Sequence, residues 1–408
     1  MSPPHKQERV VIIAPSAPPS GAGGVANAHY QLYRCFKHRG LDAILLTFNE
    51  QGNDISESDI IRFGASSTLR SFLSLSCSIY LKFRGSCRQA YQLNDIIASI
   101  PGVRQLNKTL RHLNPEHIII PDHGAPGLFL DKGNARLTLV THHNPSRFNK
   151  DLALGDYCPV DIHDAISLEQ RVLKKVDGVI APSRYMEGVF RETFHFDGPV
   201  TMIHNPVDLM FVDEISKNDV RAELGLPIEA PLVYIPSAGS RLKGACYVAQ
   251  IIRSLAGIYR GKLGFYLSGG ISKELMEVLH GLPQNVRVFS PGHLDYASNL
   301  ALIKACSFGV SPTLIESFGM SILEANLCGV PMVVFRVGGT GEIIVDGLNG
   351  FCVPCHDINS LCSTAEQFLN VEFCKKMGDS ACRYSRQYFE TNAIIDRYLA
   401  FCHIGIGY

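Results

Sequence analysis

Short, almost uninterrupted apolar runs alternate along this chain with amphipathic stretches of helical length. Runs of that kind are expected of strands buried on both faces and covered by helices. Six predicted strands fall at 10–14, 43–47, 117–120, 137–141, 178–181 and 200–203. Six more fall at 232–235, 264–267, 286–289, 308–311, 330–335 and 351–353. Strands alternating with helices predict parallel sheets of the α/β class. The series breaks near Asn205-Pro206-Val207-Asp208, and the polar stretch 214–224 beyond it predicts a helix. Two Rossmann-like domains facing each other across a cleft follow, divided between 207 and 208.

The first strand runs into Pro15-Ser16-Ala17-Pro18-Pro19-Ser20-Gly21-Ala22-Gly23-Gly24 and then a predicted helix over 25–38, closed by Gly40. Gly23 and Gly24 would let backbone approach a phosphate or a sugar closely, because no Cβ intervenes. The spacing is not Gly-x-Gly-x-x-Gly, and no acidic residue ends the second strand, which disfavours a dinucleotide.

The densest candidate chemistry is the run from Ser311 to Asn326, in which Glu316 and Glu324 stand with seven residues between them. The preceding residues read as a buried strand, and 320–327 reads as a helix ended by Gly329. Both carboxylates thus belong to one strand-to-helix junction, the place where parallel sheets bind ligands and where helix N–H groups meet a phosphate. Acidic side chains there suit sugar hydroxyls. Ser321 and Glu324 equally fit the capping box Ser-x-x-Glu, so Glu324 has two readings. Glu316 has no capping role; it is either a ligand contact or a solvated loop charge.

In the second half, the strand 232–235 leads into Ser237-Ala238-Gly239-Ser240-Arg241-Leu242-Lys243-Gly244. Arg241 and Lys243 would suit a diphosphate, or would simply be solvated. Thr141-His142-His143-Asn144 ends a strand of the first half, and adjacent imidazoles point apart, so one at most enters a site as acid, base or hydroxyl partner.

Composition narrows the class. The 408 residues suffice for two domains, and 46% hydrophobic against 19% charged residues is globular. Lys plus Arg equals Asp plus Glu at 38 each, so no global field recruits nucleic acid, and none is expected as a partner. Thirteen cysteines, an odd number without a framework spacing, suit a reducing compartment. Cys352-Val353-Pro354-Cys355-His356 has a haem-like or half-zinc spacing, but no second Cys-x-x-Cys completes it. No apolar stretch reaches a membrane span, which predicts a cytoplasmic protein. Residues 60–94 hold Arg62, Arg70, Lys82, Arg84 and Arg88 and no acidic residue. They read as an ordinary helix with solvated arginines, or as a segment resting peripherally on the inner face of an anionic membrane.

An ordered set of motifs resembles the retaining glycosyltransferases of family 4, which have the GT-B fold. It comprises Phe289-Ser290-Pro291-Gly292, Ala305 to Phe308, Glu316 to Glu324, Gly329-Val330-Pro331, Gly338-Gly339, Glu342 to Gly347 and Asn349-Gly350-Phe351. A looser match runs through Gly23-Gly24, Gly40, Asp122-His123 and Thr141 to His143. The resemblance implies an acceptor-binding domain over 1–207 and a nucleotide-sugar-binding domain over 208–384. Residues 385–408 would include a C-terminal helix crossing back to the first. It further implies a UDP- or GDP-sugar donor, a glycan, lipid-linked or small-molecule acceptor, and transfer to a hydroxyl with retention. Glu316, His143 and Lys243 would be the catalytic residues. Gly23, Gly24, Arg241, Lys243, Ser317, Phe318, Gly319, Met320 and Glu324 would bind the donor.

No Asp-x-Asp occurs in the sequence, which agrees with a metal-independent enzyme needing no cofactor. The family usually has Arg five residues before its Lys-Gly pair; here that position is Ala238, and Arg241 lies two before Lys243. A sugar-nucleotide epimerase of the same architecture and a catalytically silent nucleotide-sugar-binding protein are the alternative functions.

Overall fold

A computed structural model describes residues 8–19, 23–50, 59–85, 91–149 and 151–405, the side chain of residue 274 excepted. Ser20, Gly21, Ala22 and Arg88 lie outside the described residues. Each predicted apolar run is a strand. In the first half they are β1 (Arg9–Ala14), β2 (Asp42–Thr47), β4 (His117–Pro121), β5 (Arg136–Val140), β6 (Gly178–Ala181) and β7 (Val200–Met202), joined by a two-residue β3 (Ile60–Ile61) that the pattern does not announce. In the second they are β8 (Leu232–Ile235), β9 (Leu263–Leu267), β10 (Val286–Phe289), β11 (Phe308–Ser311), β12 (Met332–Phe335) and β13 (Gly350–Val353).

The first seven form one sheet in the order β3-β2-β1-β4-β5-β6-β7, and the other six form a second in the order β10-β9-β8-β11-β12-β13. Every pairing between these strands is parallel. Val11, Ile13, Leu46, Phe48, Ile118 and Ile120 are buried in the first sheet's core, and Val233, Ile235, Phe265, Leu267, Val310 and Val333 in the second's. Each sheet reverses its strand order once, between β1 and β4 and between β8 and β11. At such a reversal the loops leaving neighbouring strand ends diverge to opposite faces and open a crevice.

The chain forms two compact units. One comprises Met1–Asp208 with Thr391–Tyr408, the other Leu209–Glu390. The stretch 385–408, expected to hold one C-terminal helix, is shared by two helices. Val371–Tyr388 ends in the second unit, and Thr391–Cys402 lies in the first. Thr391 donates its hydroxyl to Val207 O at 2.7 Å, and Arg39 pairs with Asp396 at 2.6 Å, tying that last helix to its unit.

The predicted helix at 214–224 is not formed. A helix occupies Leu209–Glu214, and the residues beyond it are irregular, with a turn only from residue 220. Arg221 is buried there, donating to Ala230 O, Ala305 O and Ser307 Oγ, while Asn218 N donates to Ala301 O. These long-range bonds outweigh a weak local propensity.

Candidate functional site

Within the second unit, two loops leave the sheet at its reversal. The loop after β8 carries Arg241, Leu242 and Lys243 in a single 3-10 turn, and the loop after β11 carries Glu316. Gly244 (φ +78°) lets them touch, because a Cβ there would sit 2.0 Å from Pro312 O. Leu314 N donates to Leu242 O at 3.0 Å. The result is a contact no spacing rule forecasts: Lys243 Nζ lies 2.5 Å from Glu316 Oε2 and 3.4 Å from Ile315 O. The Glu316 side chain is 14% exposed and that of Lys243 32%, so neither is a freely solvated loop charge. Arg241, at the head of the turn, is exposed. Ala238, at the family's usual Arg position, is fully buried.

The Glu316 loop is clamped from its other side. Gly338 and Gly339 follow β12 and press their backbone against Glu316, Ser317 and Phe318, where a Cβ on Gly339 would come within 2.6 Å of Ser317 O. Glu316 Oε1 also lies 3.3 Å from Ser317 N, which donates to it. Gly319 (φ +117°) then turns the chain into the helix Met320–Leu327. Gly319 is its N-cap and no side chain caps it, so the capping box from Ser321 to Glu324 is not made: Ser321 already lies inside the first turn. The first N–H groups of the helix, left without a side-chain cap, carry the positive end of its dipole. Phe318 is buried against Phe389, holding the loop on its core. Glu324 is buried on the same helix, near the buried Tyr234, whose hydroxyl is pushed well up by burial, then by Tyr266 and Glu324.

In the first unit, Asp122 directly follows β4, and Thr141-His142-His143-Asn144 directly follows β5. Asp122 organises that turn. Its carboxylate accepts from Thr141 Oγ1 at 3.0 Å, from His142 N at 2.9 Å, from His143 N at 3.0 and 2.9 Å, and from Asn144 N at 3.3 Å. The two imidazoles do point apart. His142 is buried against His29, and its pKa is lowered to about 3 by burial, then by His123 and Arg147. His143 is partly exposed among Tyr91, His123 and Phe148, and burial likewise holds its pKa well below the usual value.

His143 Nε2 lies 2.5 Å from Gln92 Oε1. An amide oxygen only accepts, so by inference Nε2 carries the proton and Nδ1 keeps a lone pair. Gln92 is placed in turn by Asp161, which caps the helix Gln92–Leu113 by accepting from the backbone N–H of Tyr91, Gln92 and Leu93 at 2.8–2.9 Å. Neither Gln92 nor Asp161 carries a sequence signal, because both act through contacts about 50 or more residues away. Gly23 caps the helix Gly24–His38 without a side-chain bond, and a Cβ at Gly23 or Gly24 would meet nothing within 4 Å among the described residues beyond its chain neighbours.

The family model described as Glycosyltransferase Family 4 matches residues 22–211, and the one described as Glycosyl transferases group 1 matches residues 231–370. Among curated proteins, the D-inositol 3-phosphate glycosyltransferase of Mycolicibacterium smegmatis is 26% identical over 248 residues, which is 59% of this chain and 56% of that protein. The chain therefore spans about half the length of the curated relatives it matches. Sucrose-phosphate synthase from Thermosynechococcus elongatus superimposes with a TM-score of 0.71 at 18% identity, covering 96% of this chain and 97% of that one. Anabaena Alr3699/HepE, solved in complex with UDP and glucose, gives 0.67 at 19% identity, covering 97% and 99%. With both sheets and both family matches in place, the chain belongs to glycosyltransferase family 4, the glycosyl transferases group 1, and has the GT-B fold.

Proposed function

We propose that the protein transfers a sugar from a UDP- or GDP-sugar to an acceptor hydroxyl with retention of configuration and without a divalent metal. The observation that carries this reading is the Lys243–Glu316 pair at the strand reversal of the second sheet, beside an uncapped helix start. The anomeric carbon exchanges its bond to the diphosphate oxygen for one to the acceptor oxygen, and the acceptor proton passes to the departing diphosphate. Negative charge grows on that diphosphate while the sugar gains oxocarbenium character. Lys243 and the N–H groups at Gly319 and Met320 neutralise the first, as fixed charges that need no reorganisation.

Glu316 holds donor-sugar hydroxyls and its carboxylate faces the developing positive charge. Glu324 holds the ribose, and Ser317, Phe318, Gly319 and Met320 line the donor with backbone. Arg241 assists at the diphosphate from the exposed end of its turn. In the first unit, His143 stays neutral at pH 7 and accepts a sugar hydroxyl at Nδ1, while the open backbone of Gly23 and Gly24 approaches the phosphate. The absence of Asp-x-Asp and the presence of Lys243 support metal independence. A uridine nucleotide finds support in the HepE complex with UDP and glucose. The acceptor is a glycan, a lipid-linked sugar or a small molecule, and the reading places the enzyme in the cytoplasm, where free thiols such as Cys35, Cys158 and Cys306 persist.

The test is nucleotide release from a panel of UDP-, GDP-, ADP- and dTDP-sugars in EDTA, with Glu316→Ala alongside. Slow hydrolysis of one donor, lost in the variant, identifies that donor. Conversion of a donor to its epimer without release supports the epimerase instead. Donor binding with neither product marks a silent binding protein.

A further inference from the structure

The helix Ser67–Phe83 of the first unit is inverted relative to an ordinary surface helix. Cys77 and Leu81 are buried, whereas Leu69, Phe72, Leu75, Ile79, Tyr80 and Phe83 are all exposed. Phe72 is 65% exposed, Leu75 59% and Phe83 88%. At 100° per residue these six fall within one arc of about 140°, so they form a continuous stripe about 21 Å long. Single exposed apolar residues are ordinary, but a stripe of this extent marks an interaction surface.

The charges around the stripe choose the partner. Two of the basic residues of this segment are committed elsewhere. Arg62 is held by Glu50 and by the carbonyls of Ala17 and Pro18, and Arg70 donates to Asn49 O. Lys82 and Arg84 are exposed, and by helical angle they stand on opposite flanks of the stripe. No carboxylate occurs from residue 60 to residue 94, and Asp164, on a neighbouring helix, accepts the Tyr80 hydroxyl.

A second copy of the chain fits this face poorly. The stripe offers six apolar residues, against the roughly 20–30 residues a side of a stable interface. Self-pairing would also bring the cations of the two copies together, with no carboxylate between residues 60 and 94 to receive them. We infer that this face docks on an anionic lipid bilayer, with the apolar side chains entering the headgroup boundary and Lys82 and Arg84 meeting lipid phosphates. The inference stands apart from the sugar-transfer reading, since it needs neither donor nor acceptor.

Flotation of the full chain with phosphatidylcholine vesicles, with and without about one-third phosphatidylglycerol, tests it. Binding to the anionic vesicles should exceed binding to the neutral ones by about tenfold or more and should weaken as salt is raised. The double variant F72S/F83S should lose about tenfold or more of that binding, and K82E/R84E should lose the anionic preference. Both variants should keep wild-type circular dichroism and wild-type nucleotide release. Failure of the wild type to float overturns the inference, as does undiminished flotation of F72S/F83S. A wild-type dimer that F72S/F83S turns into a monomer, with no flotation, would assign the face to a second copy instead. Nucleotide release retained without flotation sinks the membrane surface alone; flotation without release from any donor sinks only the transferase reading.

Discussion

Gly338 and Glu316 are in backbone contact so close that a Cβ on the glycine would lie 1.7 Å from the Glu316 carbonyl oxygen. The glycine is also left-handed, at φ +53°. Gly338→Ala must therefore strain its own backbone and push Glu316 away from Lys243. We expect a loss of at least about 2 kcal/mol in stability. We expect nucleotide release to fall by about 100-fold, since a displacement near 1 Å suffices for that. Thermal melting and donor hydrolysis measured together check both parts. Wild-type hydrolysis in a folded Gly338→Ala protein would show that Glu316 need not be held where this contact holds it.

The Lys243–Glu316 pair should matter to chemistry far more than to folding. Both side chains retain access to water, and such pairs contribute about 1 kcal/mol or less to stability. Against a developing diphosphate charge, one fixed cation is worth about 100- to 1,000-fold in rate. Lys243→Met should thus lower turnover by that factor while melting within a few degrees of wild type, and Arg241→Ala should lower it less. A Lys243→Met protein that melts much earlier yet turns over normally would make the pair structural.

Asp122 and His143 separate in the same way. The Asp122 carboxylate accepts several N–H groups of one buried turn, and an amide in its place would set donors against donors. Asp122→Asn should cost about 2–4 kcal/mol, because buried N–H groups lose their acceptor. His143→Ala leaves those main-chain bonds intact, so it should cost at most about 1–2 kcal/mol while depressing transfer. Denaturant titration of both variants beside their turnover distinguishes the turn's organiser from the side chain proposed to meet the sugar. Equal losses of stability would deny that division.

These contacts also explain what could be read in advance. All twelve apolar runs became strands because parallel strands buried on both faces leave an unbroken apolar signature. The run at 330–335 starts two residues late, at Met332, since Pro331 has no N–H to give the ladder. The helix at Met320–Leu327 and its stop at Gly329 were legible from local signals alone. β3 was too short to leave a pattern. The glutamate motif was legible as a strand-to-helix junction, but its partner Lys243 is 73 residues away, and only the sheet order makes them neighbours. Some of the matching motif serves shape rather than chemistry. Asn349 accepts from Val345 N and donates to Ile343 O, and Gly350 leaves no room for a Cβ beside Met332 O.

Glu169 provides a pH test away from the donor site. It lies buried on the helix Pro159–Val172, facing a cavity lined by Leu139, Val172, Leu173, Phe190 and Phe194, and its Oε2 has no hydrogen-bond partner among the described residues. Burial, and secondarily Asp122, pushes its pKa well up. The folded protein therefore keeps this proton while the unfolded chain releases it above about pH 4.3. The group favours folding below that pH, and its contribution is lost as pH rises toward the folded-state value. Glu169→Gln removes the penalty, so its stability advantage should be near zero at pH 4 and widen by up to about 1.4 kcal/mol per pH unit above it. His29, His142 and His143 act in the opposite sense. Their lowered pKa values take stability away as pH falls below about 6.5, so the wild-type curve alone mixes the two effects. The difference between wild type and Glu169→Gln, followed by urea unfolding from pH 4 to pH 8, isolates the carboxyl. A difference that does not change with pH would mean that Glu169 titrates alike in the folded and unfolded chains.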